Sequence, residues 1–101
     1  DVVGTLRKKA TVEQVNAAFA AAARKGPLSK VLDYSEEPLV SSDIVGRPAS
    51  CTIDAGLTMA IGNMVKVCGW YDNEMGYSCR LVDLTRIVGT RRTKKTKAGR
   101  K

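Results

Sequence analysis

Cys51, in the run Ser50-Cys51-Thr52, is the first residue whose type invites a chemical reading. A cysteine thiolate attacks carbonyl carbon when a neighbouring base or cation lowers its pKa. No histidine occurs among the 101 residues, so the usual partner is missing. Ser50-Cys51-Thr52-Ile53-Asp54 reads instead as a strand holding a buried or half-buried cysteine, and no catalytic residue is expected. Cys68 and Cys79 bring the cysteine count to three. An odd count without a CxxC pair describes neither a disulfide framework nor a zinc site. Reduced thiols in an intracellular compartment are the simplest reading, and no metal site is expected. The nine glycines are scattered and form no GxGxxG phosphate loop. Asp72 or Asn73 can cap a helix N-terminus, and from spacing alone a cap is the favoured reading of Asn73. Asp72, Glu74 and Asp83 read as helix-end and interface charges rather than as acid–base groups.

Charge is segregated along the chain. Net charge is +7, and Arg91, Arg92, Lys94, Lys95, Lys97, Arg100 and Lys101 supply all of the excess. Residues 1–90 hold ten basic and ten acidic groups. The basicity therefore belongs to a tail, which is expected to be disordered unless a partner orders it. Seven cations suit the phosphates of nucleic acid. The tail has no aromatic residue for base stacking, so no sequence-specific recognition is expected.

Among the elements that must hold these residues, the first is marked by Thr11 and Gln14, which have the spacing of a capping box. Val12, Val15, Phe19, Ala22 and Ala23 recur at helical spacing, and Gly26-Pro27 follows, which predicts a helix at about 11–25. Val2 to Leu6 and Val31 to Tyr34 read as strands, the former weakened by Gly4. Ser50–Asp54, Leu57–Ile61 and Val65–Trp70 read as three more strands, joined by Ala55-Gly56 and Gly62-Asn63 turns into an antiparallel meander. Met59 and Met64 are read as strand packing. Tyr77, Leu81, Leu84 and Val88, widened by Val82 and Ile87, form the apolar stripe of a C-terminal helix at about 73–88, stopped by Gly89. The expected fold is α+β with a largely antiparallel sheet. Residues 1–89 form one partial domain, and 90–101 form the tail. A chain of this length suits one small domain. Its apolar runs fall short of a membrane span, and no targeting signal is visible. Asp1 stands where an initiator Met would, so an upstream part is expected.

The run Trp70-Tyr71-Asp72-Asn73-Glu74-Met75-Gly76-Tyr77-Ser78-Cys79-Arg80-Leu81-Val82-Asp83-Leu84 resembles a signature near the C-terminus of phosphorylating glyceraldehyde-3-phosphate dehydrogenases. Gly26-Pro27-Leu28, Leu32-Asp33-Tyr34, Val40-Ser41-Ser42-Asp43-Ile44, Asp54-Ala55-Gly56-Leu57-Thr58 and Val65-Lys66-Val67 fall in that family's order. The resemblance covers roughly residues 1–88 and has a bacterial or plastid flavour. Met75 departs from it, standing where the family usually has a large aromatic. The tail departs too, because family members usually stop soon after the final helix.

The resemblance implies the end of a catalytic domain and the final helix, which in the family packs against a dinucleotide-binding domain. About two hundred residues would lie upstream. It implies NAD or NADP as cofactor, with Asn73 hydrogen-bonded to the nicotinamide carboxamide and setting which ring face takes the hydride. Tyr77 would lie near the nicotinamide, although core packing of the helix explains it equally well. The family's Ser-Cys-Thr-Thr-Asn nucleophile motif is only imitated at Cys51. The segment alone is expected to be inactive. The implied partners are the missing domain and further subunits of a homotetramer. The implied setting is glycolysis or photosynthetic carbon metabolism, in the cytoplasm or in a plastid or mitochondrion. Two other expectations stay open: an inert truncated product, or a structural subunit of a larger assembly such as a ribonucleoprotein, binding nucleic acid through Arg91 to Lys101.

Overall fold

The Thr11/Gln14 pair nucleates the first helix as its spacing predicts. In the computed structural model, which describes the backbone of residues 1–99 and the side chains of residues 1–91, α1 spans Val12–Arg24. The Gln14 backbone N–H donates to Thr11 Oγ1 at 3.1 Å, and the Thr11 N–H donates back to Gln14 Oε1 at 3.0 Å. Two otherwise orphaned donors of the first turn are thereby satisfied. At the other end Gly26 takes φ +103, a backbone that side chains disfavour, and the chain turns away. The stripe Val12, Val15, Phe19, Ala22 and Ala23 is half-buried throughout.

Seven short elements follow β1 (Val2–Thr5) and α1 before the final helix. They are β2 (Leu32–Ser35), α2 (Ser41–Ile44), β3 (Cys51–Asp54), a 3-10 turn at Ala55–Leu57, β4 (Met59–Ile61), β5 (Met64–Val67) and β6 (Gly69–Trp70). They form two three-stranded sheets rather than one meander. The first, in order β1-β5-β4, is antiparallel throughout, with Val2 opposite Val67 and Met59 opposite Lys66. The second, in order β2-β3-β6, pairs β2 and β3 in parallel and β3 and β6 antiparallel.

The expected meander is therefore corrected at two points. The β4–β5 hairpin forms across Gly62, which takes φ +60. The β3–β4 hairpin does not, because Ala55-Gly56-Leu57 winds into the 3-10 turn. Asn16 of α1 holds that turn: its Nδ2 donates to the Ala55 carbonyl at 3.1 Å, and its Oδ1 accepts from Thr58 Oγ1 at 2.6 Å. The run Val65–Trp70 also breaks at Cys68, whose carbonyl accepts from the Asp54 N–H at 3.0 Å. One predicted strand thus serves both sheets. The short helix α2, between the two strands that the sequence suggested, lies within the crossover that a parallel β2/β3 pair requires.

Burial centres on β3. Leu32, Ile44, Ala49, Ile53 and Ala55 are the buried apolar residues among those described, joined by Thr52, Asp54 and Thr58. Asp54 is satisfied by the Trp70 indole N–H at 3.0 Å. Gly69 lies so close to β3 that a Cβ there would collide with Cys51 Sγ. Met59 and Met64, expected to pack, are instead exposed on the β1-β5-β4 sheet with Val3 and Ile61.

The final helix, α3, begins at Asn73 as expected but runs to Gly99. Gly89 does not stop it. A glycine ends a helix by adopting a left-handed backbone, and among the described residues only Gly26, Gly46 and Gly62 have positive φ. Inside a helix it costs about 1 kcal/mol relative to alanine, which the chain tolerates. Helical backbone thus passes the boundary expected at residue 89, while the side chains of 92–101, most of the basic tail, lie outside those described. The N-terminal turns dock on the residues before β3: Gly76 is buried, with the Ala49 carbonyl 3.1 Å from where a Cβ would sit. Arg80 Nη1 donates to Ser50 Oγ at 2.8 Å while its Nε donates to Asp83 at 3.0 Å. Beyond, Leu81, Leu84, Ile87 and Val88 are at least half exposed. Among the described residues no helix is long and apolar enough to cross a membrane.

Candidate functional site at the start of the final helix

The sequence leaves open whether Asp72 or Asn73 caps α3, and the geometry assigns the cap to Asp72. Its Oδ1 accepts from the backbone N–H groups of Glu74 at 3.0 Å and Met75 at 2.9 Å. Its Oδ2 accepts from the Gly46 N–H at 2.8 Å. One carboxylate thus closes the helix N-terminus and fastens it to the loop after α2. Gly46 takes φ +83 there, a conformation glycine adopts without strain. The N–H groups of Met75 and then Gly46 hold the Asp72 carboxyl below its ordinary value of 3.8; desolvation opposes them, and Glu74 adds a smaller lowering effect.

With the cap taken, the Asn73 side chain is exposed and has no hydrogen-bond partner among the described residues. Tyr77 follows one turn later on the same helix face and is 68% exposed. It does not pack into a core of this chain. A cleft of about 280 Å³ opens beside Asn73, lined by Ser41, Ile44, Val45, Trp70, Tyr71, Asp72 and Glu74. Trp70 is held at its edge by Asp54, so β3 indirectly fixes one wall.

Burial pushes the Cys51 thiol up from its ordinary value. That direction runs against what a nucleophilic thiolate requires. Cys68 and Cys79 are also free, and no group of three metal-ligating side chains occurs among the described residues. Glu74 is exposed at the helix start, and Asp83 pairs with Arg80. Of the basic run, Arg91 is exposed on α3; Arg92, Lys94, Lys95, Lys97, Arg100 and Lys101 lie outside the residues whose side chains are described. Sequence reasoning missed the Asp72–Gly46 bond and the Asn16 bonds. The 26-residue gap between Gly46 and Asp72 leaves no local signal, whereas a polar Asn16 beside the apolar stripe of α1 was a usable one.

Residues 1–73 match the profile of the family described as "Glyceraldehyde 3-phosphate dehydrogenase, C-terminal domain". Over 90 residues the chain is 56% identical to glyceraldehyde-3-phosphate dehydrogenase 2 of Streptomyces arenae, covering 89% of this chain and 27% of that protein. It is 64% identical over 85 residues to glyceraldehyde-3-phosphate dehydrogenase 1 of Bacillus cereus, covering 83% and 25%. It is 55% identical over 89 residues to the glyceraldehyde-3-phosphate dehydrogenase of Mycobacterium avium, covering 88% and 26%. The chain spans about a quarter of the length of the curated relatives it matches. By fold, motif order and similarity together, the chain belongs to the glyceraldehyde-3-phosphate dehydrogenase family, within its C-terminal domain.

Proposed function

We propose that this chain acts as the C-terminal portion of an NAD(P)-dependent, aldehyde-oxidising dehydrogenase subunit, where Asn73 holds the nicotinamide carboxamide and Tyr77 lies beside the ring. The observation that carries this is the free Asn73 amide, exposed at the start of α3 because Asp72 supplies the cap. An unpartnered amide fits a carboxamide, since each donates and accepts once in a shared plane. The bound cofactor supplies the hydride acceptor. This chain supplies orientation of that cofactor, while the nucleophile and its base belong to the rest of the subunit.

The exposed stripe Tyr77, Leu81, Leu84 and Val88 then faces the dinucleotide-binding portion, and the sheet face of Val3, Met59, Ile61 and Met64 faces a further copy in a cytoplasmic homo-oligomer. The test is a full-length subunit in which this chain replaces the corresponding residues of the Streptomyces arenae relative. It is expected to oxidise glyceraldehyde 3-phosphate with a nicotinamide cofactor, and Asn73→Ala is expected to weaken binding of NAD(P) but not of ADP-ribose, which lacks the nicotinamide. Equal affinities in wild type and Asn73→Ala would refute the cofactor assignment.

A second reading rests on the segregation of charge, with the whole net excess in residues 91–101. In it the tail holds nucleic acid through phosphate contacts, with affinity falling steeply as salt rises. Deleting 91–101 without changing RNA affinity would remove that reading.

A further inference from the structure

We infer that Asp72 is a positioning residue for the cofactor: by clasping the Gly46 N–H while capping α3, it fixes where Asn73 points. The inference rests on the reading that Asn73 meets the nicotinamide. Asn73 is the first residue of α3, so its direction follows from how the first turn is set. That turn has two supports. From below, the buried Gly76 sits against the Ala49 carbonyl, which fixes the height of the helix over β3. From the side, Asp72 Oδ2 holds Gly46 at 2.8 Å, which resists rotation of the turn away from the loop after α2. The residue between Asp72 and the helix body is Asn73 itself, so a shift at Asp72 moves the amide directly.

The two carboxylate oxygens have separate tasks. Oδ1 serves the N–H groups of Glu74 and Met75, both within the helix. Oδ2 alone reaches the loop after α2, where it accepts from the Gly46 N–H. The distinction has a chemical handle. An asparagine caps a helix about as well as an aspartate, but with its oxygen kept on the cap its NH2 would face the Gly46 N–H, donor against donor. Asp72→Asn therefore keeps the helix and opens the clasp. A serine at 72 also caps, but its single oxygen cannot serve both the cap and Gly46. The lowered Asp72 pKa agrees with a carboxylate that stays charged and holds both groups at neutral pH.

The experiment measures equilibrium dissociation constants, by cofactor quenching of protein fluorescence, in the full-length subunit carrying this chain. NAD(P) and ADP-ribose are compared in wild type, Asn73→Ala, Asp72→Asn and the double variant. Opening the clasp is expected to weaken NAD(P) binding about fivefold, to leave ADP-ribose binding unchanged, and to have no further effect in the Asn73→Ala background, because one variant acts through the other. Asp72→Ser carries the same expectation and stands in if Asp72→Asn does not fold. If Asn73→Ala discriminates NAD(P) from ADP-ribose but Asp72→Asn does not, or if the two effects simply add, the positioning role is overturned while the Asn73 assignment survives. If Asn73→Ala discriminates nothing, the assignment falls and the positioning role falls with it.

Discussion

The fold treats the surroundings of strand β3 and the apolar stripe of helix α3 in opposite ways. Around β3 each buried group is answered from within the chain. Asp54 has the Trp70 indole, Thr58 has Asn16, and Gly69 makes room for Cys51. No buried side-chain N or O among the described residues lacks a hydrogen-bond partner. Along α3 the reverse holds: the Asn73 amide is free, and Leu81, Leu84, Ile87 and Val88 present half or more of their surface. A self-satisfied centre beside an unanswered helix is what a piece of a larger subunit shows, in keeping with the quarter of the relatives' length that the chain spans. Breaking the centre and breaking the helix therefore have different signatures.

The largest effect is expected at Gly69. Its replacement by valine drives a branched side chain into Cys51 Sγ, with the Thr52 carbonyl 3.7 Å and Ile53 Cδ1 3.8 Å from the Cβ position. Forced overpacking of this kind costs about 3 kcal/mol, read as a drop in the denaturant midpoint. Restoring space with Cys51→Ala is expected to recover part of the loss. Next comes Asp54→Ala, which strips the Trp70 indole N–H of its acceptor at a cost of about 2 kcal/mol. Thr58→Val removes the 2.6 Å bond to Asn16 and costs about 1 kcal/mol. Hydrogen exchange in α1 should rise in Thr58→Val and not in Asp54→Ala, because only the former removes one of the two bonds that Asn16 of α1 makes to the 3-10 turn and its end.

These residues also mark what was legible. Thr11 and Gln14 announced α1, and Asp72 and Asn73 announced α3, because caps are local and their partners lie two or three residues away. The pairing of strands was not legible. Gly62-Asn63 turned as read, whereas Ala55-Gly56 wound into a 3-10 turn because Asn16, some forty residues earlier, holds its carbonyl. Cys68 divided one apparent strand between two sheets for a reason that is also non-local, the bond its carbonyl accepts from the Asp54 N–H fourteen residues earlier. Gly89 shows the converse error: a residue type that can end a helix does so only with the left-handed backbone, which is absent here. For the candidate site, the family resemblance pointed to Asn73 and Tyr77 whereas spacing alone favoured a helix cap at Asn73; the geometry gives the cap to Asp72 and leaves the Asn73 amide free.

A smaller effect links the two regions through pH. Asp72 is held below its ordinary value of 3.8, so its folded form binds a proton less readily than the unfolded chain does. Its stabilisation is full above 3.8 and is lost as pH falls through the lower folded value. The Gly46 amide proton is therefore expected to keep its shift on acidification to pH 3.8 and to move only below it. Asp72→Asn should abolish that movement. A Gly46 transition centred above 3.8 would contradict the clasp.

The smallest effect, in the chain by itself, is expected from Leu81→Ser combined with Leu84→Ser. Both side chains are at least half exposed and meet no buried core, so removing them forfeits little burial; the change in unfolding free energy should stay within about 0.5 kcal/mol. Neither position touches the Asp72 cap or the Gly76 contact, so helix content should hold. Inside the full-length subunit the same pair should cost several kcal/mol, because on the proposed reading the stripe is covered there and two leucines would be lost from a packed interface. This contrast decides what kind of helix α3 is. A large loss in the free chain would mean that the stripe already packs on the chain itself. A negligible loss in both settings would mean that nothing covers it in the subunit either, and the comparison between a complete centre and an incomplete helix would fail.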